Sequence, residues 1–482
     1  MRKVKLIGCI IVVAAGFGVG ADVQETVHLT LEQVFENVTR SNPVINIEKL
    51  DIDIATTVLR EQLYQYEPRI KVGFGLSEVK DAVGRGTARD FSVLVTESLP
   101  TGTQIQARAS AQPQSSYLAG QSLTEKYRNT LGITLTQAIL RGLNPIVNLA
   151  PVSSANLDIA IKREELVGYA QRLIADTERA YRDIHLSKQE LQIHEQSLQL
   201  AQRLLYESQE RLKAGRIAAL DLAAIKAEVA HRESMLIDAQ TEYTRKKYRL
   251  IYLMNRPDLW NTNILTVDTF LTLSAPDSLS HHLFVAKRMR PDLRLARTME
   301  KKGELQVIQT RNGLLPKLDF FMTLQGNSGH ESFSDAMDFR ESQMTKSLSG
   351  GLVLDFPLTS GAARQVYRRA KFGSEQMCHS LENLTRLIEY EVRSAYLEVS
   401  RAQKRIEASA VSHQLQQERL EAEEMKLAAG KSTGYMLLQA QRDLISAQLD
   451  KARAENTYVS SLLDLYLKDG TLLERRGVDS MR

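Results

Sequence analysis

From Ser153 to Leu212 the chain runs for roughly 60 residues with no proline and only one glycine, Gly168. An α-helix of that length spans about 90 Å at ~1.5 Å per residue, deeper than any ordinary globular domain. The pattern breaks at Ala214-Gly215, and a second helical pattern, Ala219 to Met254, runs back. The same design returns later: a long helix to Leu427, a break at Gly430, and a return helix from Tyr435 to Leu467. Tyr181 precedes Gly215 by 34 residues and Tyr396 precedes Gly430 by 34. Two hairpins with equal arms indicate an internal duplication.

Composition suits long helices better than a large compact core: 43% hydrophobic and 25% charged, but only 6% aromatic with a single Trp. Residues 1–21 read as a secretory signal. Arg2, Lys3 and Lys5 form its basic end, Leu6 to Gly20 its apolar stretch, and Val19-Gly20-Ala21 a small-residue cleavage site before Asp22. That apolar stretch is short for a membrane anchor. Leu6-Ile7-Gly8-Cys9 superficially spells a lipoprotein box, yet its apolar run follows the cysteine instead of preceding it. Cleavage after Ala21 leaves Cys378 as the one cysteine, which excludes an intrachain disulfide. Losing three basic residues lowers the formal charge from +4 to +1, a balance that does not suggest nucleic acid. No later apolar run is long enough for a spanning helix, so an exported chain of this kind is periplasmic, secreted, or an outer-membrane β-barrel.

Repeat 1 is expected over residues 22–258. A helix over 29–66, capped at Thr30 and interrupted at Asn42-Pro43, leads into strands within 69–139. Ile70, Val72, Phe74 and Leu76 alternate with Arg69, Lys71, Gly73 and Gly75, and three more alternating runs follow at Phe91–Leu99, Thr103–Ala111 and Leu131–Ile139. Each approaches the nine to eleven residues that a tilted strand needs to cross a bilayer. Ser77–Asp90 and Gln112–Thr130 are long polar connections, whereas Pro100-Thr101-Gly102 is a tight turn, the asymmetry seen in transmembrane barrels. A long helix over 145–213, a tip at 214–218 and a helix over 219–254 complete the repeat. Residues 259–277 read as an irregular equatorial linker. Repeat 2, residues 278–472, has a helix over 278–312, strands within 317–358 around a polar Gly326–Lys346 loop, a long helix over 361–428, a tip at 429–434 and a helix over 435–467. The tail, 473–482, reads as loosely ordered.

Pro43 to Pro68 and Pro291 to Pro316 are both 25 residues. The copies differ between proline and glycine, where the first carries the extra Phe91–Ala111 hairpin. Lengths also match: the helices over 29–66 and 219–254 sum to about 111 Å, against about 110 Å from Gly142 to Gly215. Two short helices stacked end to end would lie beside one long one. Four or six strands cannot close a barrel, and in lipid an open sheet leaves backbone groups unsatisfied at several kcal/mol each. Several chains must therefore share one barrel. The fold class expected is mainly α with a membrane β-barrel, a duplicated helix–β-hairpin–long-helix–helix repeat that forms an α-barrel plus a shared transmembrane β-barrel.

Leu29-Thr30-Leu31-Glu32 with Asn42-Pro43, Arg290-Pro291-Asp292-Leu293, Leu315-Pro316, Leu140-Arg141-Gly142 and the tips occur in an order that resembles the TolC family of outer-membrane efflux and secretion channels. The first tip, Arg211-Leu212-Lys213-Ala214-Gly215 followed by Ile217 and Asp221, is similar to the family's tip pattern. Leu427 and Gly430 occupy the second. The resemblance covers nearly the whole mature chain. It implies a homotrimer in outer-membrane lipid, a periplasmic α-barrel, and docking of a periplasmic adaptor (membrane fusion) protein, linked to an inner-membrane transporter, onto the tips. Two departures stand out. The family usually has two strands per copy, so either the barrel is enlarged or the Phe91–Ala111 hairpin sits outside it; the short Pro100 turn favours enlargement. Some members constrict the entrance with aspartates six and nine residues after the second tip glycine, where this chain has Met436 and Gln439, pointing to an apolar or amide gate.

No catalytic constellation, cofactor site or metal-ligand spacing is found. His281-His282, His185 and His194 read as surface histidines. Glu421, Glu423 and Glu424 read as a solvated helix face, and Gly215 and Gly430 as helix-ending residues. The competing reading, a periplasmic coiled-coil adaptor or scaffold without a pore, has no need of alternating strands flanked by long loops.

Overall fold

The computed structural model describes residues 26–80, 85–113, 127–215, 217, 219–267, 275–339 and 344–478. The expected signal segment, including Cys9, lies outside them, as does most of the Gln112–Thr130 connection. The chain divides into two compact units. One comprises Met1–Asn42, Asp176–Ser274 and Arg405–Thr457, the other Pro43–Ala175, Ala275–Lys404 and Tyr458–Arg482.

The second of these contains the sheet. Helix α2 (Pro43–Tyr64) leads into β2 (Arg69–Lys80), β3 (Arg85–Ser98), β4 (Thr103–Pro113) and β5 (Tyr127–Ala138). In the later copy α7 (Pro291–Asn312) leads into β7 (Lys317–His330) and β8 (Thr345–Asp355). All six join in one antiparallel sheet in the order β2-β3-β4-β5-β7-β8, so the Phe91–Ala111 hairpin is part of it. The register sorts the faces. Ile70, Val95, Ala107, Ile133, Leu324 and Leu348 form a row across all six strands on one face. Arg69, Thr96, Gln106, Thr134, Thr323 and Ser349 form a row on the other. The apolar row is open to its surroundings: Ile70 and Leu348 are each 69% exposed and Ile133 55%. On the polar face, hydroxyls and amides bond across strands, with Thr134 Oγ1 3.0 Å from Thr323 Oγ1 and Thr130 Oγ1 donating to Asn327 at 2.8 Å. Among the described residues β2 pairs only with β3, and β8 only with β7.

Several strands outrun their hydrophobic alternation. β3 begins at Arg85 instead of Phe91, and β7 continues to His330, so the polar stretch after Leu324 is ladder, not loop. Backbone pairing does not end where side chains turn polar. The tight turn at Pro100-Thr101-Gly102 is held by Leu99 N–H donating to Thr103 O at 2.8 Å, with Gly102 at φ +77°. Asn148 Nδ2 donates to both Pro100 O and Gly142 O at 2.7 Å, and Tyr66 Oη donates to Asn148 O at 2.7 Å. These bonds knit the turn to α2 and to α3 (Pro145–Asn148), which Leu149 separates from the long helix α4 (Ala150–Lys213).

In the other unit, Thr26–Leu29 is a short strand, β1, paired in parallel with β6 (Asn263–Thr266). The helix expected over 29–66 is therefore a strand, then α1 (Leu31–Ser41), then α2, and the linker read as irregular contains a strand. Thr30 caps α1 in a capping box with Gln33, and Pro43 forces Asn42 into extended backbone, ending the helix. Pro291 does the same to the helix expected over 278–312, which becomes α6 (Leu279–Met289) and α7. The duplication is metrical: α1 and α6 both have 11 residues, and α2 and α7 both have 22. Helices α5 (Ala219–Met254), α9 (Gly361–Ala428) and α10 (Gly434–Lys468) complete the two hairpins. The tail is packed as far as it is described. Leu472 and Leu473 in α11 (Leu472–Arg475) are fully buried, and Arg475 pairs with Asp277 at 2.6 Å over the Tyr466 ring. Within the tail expected over 473–482, burial of Leu473 and the Arg475 ion pair outweigh the mobility that charge alone suggested. No described helix is long and apolar enough to cross a membrane.

Candidate functional site

Both hairpin tips lie in the first unit and are built alike. Helix α4 ends in Arg211 and Leu212, after which Gly215 adopts φ +69° and its N–H donates to Leu212 O at 2.9 Å. Helix α9 ends in the same way: Gly430 has φ +71°, Gly430 N–H reaches Leu427 O at 3.1 Å, and Lys431 N–H reaches Lys426 O at 2.8 Å. The last bond is the six-to-one closure of a left-handed helix cap, which favours glycine. Space around both glycines is open, so backbone conformation alone explains them.

Sequence-selected residues separate into two sets. Arg211, Gly215, Asp221 and Gly430 are exposed, and Leu212 and Ile217 are half-buried. Leu427 instead packs against a buried cluster of Leu204, Ile225, Leu420, Leu437, Leu438 and Ala440, which draws α4, α5, α9 and α10 together just above the tips. Met436 and Gln439 flank those leucines yet are themselves exposed, Met436 by 50%. The helical period turns them away from the cluster.

Three polar features had no counterpart in the sequence reading. Glu423, expected on a solvated face, has a side chain only 17% exposed and accepts from Ser432 Oγ at 2.8 Å and Lys426 Nζ at 2.6 Å, fastening the second tip loop to α9. Both contacts hold its carboxyl below the usual value. Higher on α5, Glu228 is buried and accepts from Arg232 Nε at 3.0 Å and from the guanidinium of Arg442 on α10. Arg232, also buried, donates to Ser197 O on α4 at 2.9 Å and to Gln441 Oε1 at 3.3 Å. Burial pushes the Glu228 carboxyl up, but hydrogen bonds from Arg442 and Arg232 outweigh it and hold it below the ordinary range. Glu228 and Arg232 stand at i,i+4, the one local signal available; Arg442 could not be paired with them from the sequence.

The third feature is in the other unit. His282 was read as a surface histidine, but it is fully buried, with Nδ1 2.7 Å from Asp469 Oδ2. Asp469 Oδ1 also accepts from Thr471 N–H and Oγ1 at 2.8 and 2.6 Å. The helical period places His282 inward on α6, whereas its neighbour His281 stays exposed. Beside it Arg290, from the Arg290-Pro291-Asp292-Leu293 motif, donates to Asp292 at 2.6 Å, Glu391 at 2.5 Å and Lys468 O at 3.3 Å. The motif is a structural clasp. His185 and His194 are half-buried, and burial lowers the pKa of both. Among the described residues no cluster could hold a metal ion.

A helical chain with two left-handed hairpin tips and a one-sided sheet belongs to a recognisable architecture. Residues 285–471 match the outer membrane efflux protein family. The fold is that of solved outer-membrane channels. The Campylobacter jejuni CmeC outer membrane channel superposes with a TM-score of 0.70 at 14% identity, over 92% of this chain and 86% of that one. The outer membrane protein VceC from Vibrio cholerae gives 0.70 at 14%, over 91% and 96%. The open state of the Neisseria gonorrhoeae MtrE outer membrane channel gives 0.62 at 16%, over 92% and 89%. No curated protein sequence matches the chain. At such identities the superpositions establish the fold; the matched segment lies in the second repeat, from within α6 to just beyond α10.

Proposed function

We propose that three copies assemble into the outer-membrane channel of a tripartite efflux pump or type I secretion system. The channel is a passive conduit from periplasm to exterior, gated at the helical tips. The observation that carries this reading is the open six-stranded sheet with one exposed apolar face and one polar face. In lipid, unpaired backbone at β2 and β8 costs several kcal/mol per group, and pairing β8 of one copy with β2 of the next removes both edges. Six strands from each of three copies close a barrel of eighteen, apolar outside and polar within.

Exposed apolar stripes on the helices support the same assembly. Ile47, Leu50 and Ile54 on α2, and Tyr390 and Leu397 on α9, are each more than half exposed. Positions three, four and seven apart share a helix face, as expected of surfaces that meet neighbours in a ring. At the tips, Arg211, Leu212, Gly215, Ile217 and Asp221, with Gly430, form the adaptor-docking rim, and Leu427 braces it from within. Met436 and Gln439 narrow the entrance without charge.

Single-channel conductance in planar bilayers tests the reading. The expectation is trimeric channels whose conductance rises when Met436 and Gln439 are both changed to Gly. Unaltered conductance removes these positions from the gate, and a monomer soluble without detergent ends the channel reading.

A further inference from the structure

Charge on the polar face of the sheet is unevenly placed. Lys71 on β2 and Arg108 on β4 stand in one cross-strand row, completed by Leu94, Gly132, Gln325 and Ser347. That row has two cations and no carboxylate. The next row toward the β2–β3 connection begins at Gly73 and has only glycine, hydroxyls and an amide. The next row the other way begins at Arg69 and adds a third cation. Along β2 the nearest carboxylates are Glu67, which precedes the strand and offsets Arg69, and Asp90, which lies over Gly75. Each is four residues from Lys71 in register, about 14 Å at ~3.4 Å per residue. That exceeds the ~8 Å over which charges act at physiological ionic strength, so neither neutralises the row.

Both cations are exposed, and among the described residues neither has an ion-pair or hydrogen-bond partner. Lys317, at the helical end of the same face, is by contrast held by Asp319 at 3.1 Å. The short helix α8 (Phe333–Ala336) packs on the opposite face, with Phe333 edge-on to Phe74 at 6.4 Å and Tyr127 at 5.7 Å, and leaves the row open. β8, which would meet β2 of the next copy, brings Thr345, Ser347, Ser349 and Gly351 to this face and has its one carboxylate, Asp355, opposite Lys317. A cation already matched by a carboxylate offers little field to a passing ion. Unmatched cations repeated around a low-dielectric wall concentrate ions of the opposite sign.

We propose that Lys71 and Arg108 form a charge-selective ring, through which anions (chloride and organic carboxylates, sulfonates and phosphates) pass in preference to cations. The proposal rests on the reading that three copies close around an aqueous lumen, as barrels of this strand number do. Met436 and Gln439, being uncharged, supply no such preference.

The reversal potential of channels of the full-length protein in planar bilayers under a KCl gradient tests it. The wild type is expected to pass chloride over potassium by a factor of about three or more, since a cleft lined by one sign of charge holds a potential of several kT. Lys71→Gln with Arg108→Gln should bring the two permeabilities close to equal, and Lys71→Glu with Arg108→Glu should favour potassium. Each single Gln change, expected to give an intermediate ratio, keeps the test open should a double variant fail to assemble. Arg89→Gln, opposite Leu76 on the apolar face, should change nothing. A wild type that passes potassium as readily as chloride, or a preference undiminished in the Gln variants, overturns the proposal and leaves the channel reading intact. Absence of channels refutes that reading and the proposal with it.

Discussion

At the residue scale, the two repeats have solved one packing problem in different ways. His282 and Asp469 stand where the first repeat has Val34 and Met254, since the α1 and α6 N-termini differ by 248 positions and the α5 and α10 N-termini by 215. All four side chains are buried. A buried pair gains little over apolar groups of similar volume, yet losing one partner strands the other in a medium that cannot solvate it. His282→Val is therefore expected to cost about 3–5 kcal/mol, and His282→Val with Asp469→Met to recover most of it, read by thermal unfolding as a double-mutant cycle. Glu228 and Glu391 sit below their ordinary value of 4.5, so the unfolded chain takes up their protons at higher pH than the folded one. Their contribution is complete above about pH 4.5 and is lost as pH falls through the lowered folded values. His185 and His194, held below 6.5, withdraw stability in the same direction but earlier, between 6.5 and their lowered folded values. Helical circular dichroism against pH should fall in two stages, and His185→Gln with His194→Gln should remove the first.

At the scale of elements, helix ends and turns carry the specification. Gly215 and Gly430 have open space where a Cβ would go, so Ala at either is penalised only by its left-handed backbone, about 1 kcal/mol each. Gly102 is a harsher case. A Cβ there would stand 2.2 Å from Gly142 O in addition to its φ of +77°. Gly102→Ala is expected to disrupt the β3–β4 hairpin and lower the yield of assembled protein, whereas Gly215→Ala assembles normally with a lowered melting temperature. Thermal melts in detergent and gel mobility of the intact assembly separate the two. Much of this level was legible. Pro43 and Pro291 marked helix breaks, the tip glycines marked turns, and alternation marked strands, because each acts through local backbone sterics. Strand ends were not, since the polar residues of β3 before Phe91 and of β7 after Leu324 pair through the backbone without an apolar signature. β1 and β6 were missed because four-residue strands more than 230 positions apart leave no periodicity to read.

At the scale of the whole molecule, the proposed trimer depends on the sheet edges. Each proline introduced into β8 removes a backbone donor, and in lipid each lost pair costs several kcal/mol. Leu348→Pro with Leu352→Pro, two positions whose N–H groups face away from β7, is expected to convert trimers to monomers, measured by light scattering in detergent. The same changes in β4, an internal strand, should instead prevent folding of the sheet altogether.

What the sequence determined by itself is whatever depends on short range. The 34-residue spacing from tyrosine to tip glycine in both halves, the helix-breaking prolines and the alternating runs specified two helical hairpins and a set of membrane-length strands. Fold class followed from them, as did the extra hairpin. Tertiary structure decided what depends on partners distant along the chain. It put His282 against Asp469 in the core and joined Glu228 to Arg442 across two hairpins. It also turned Met436 and Gln439 outward while Leu437 and Leu438 turned in. Burial of a charged or polar group is set by what packs around it, and that neighbour, 187 or 214 positions away, has no trace in the local pattern.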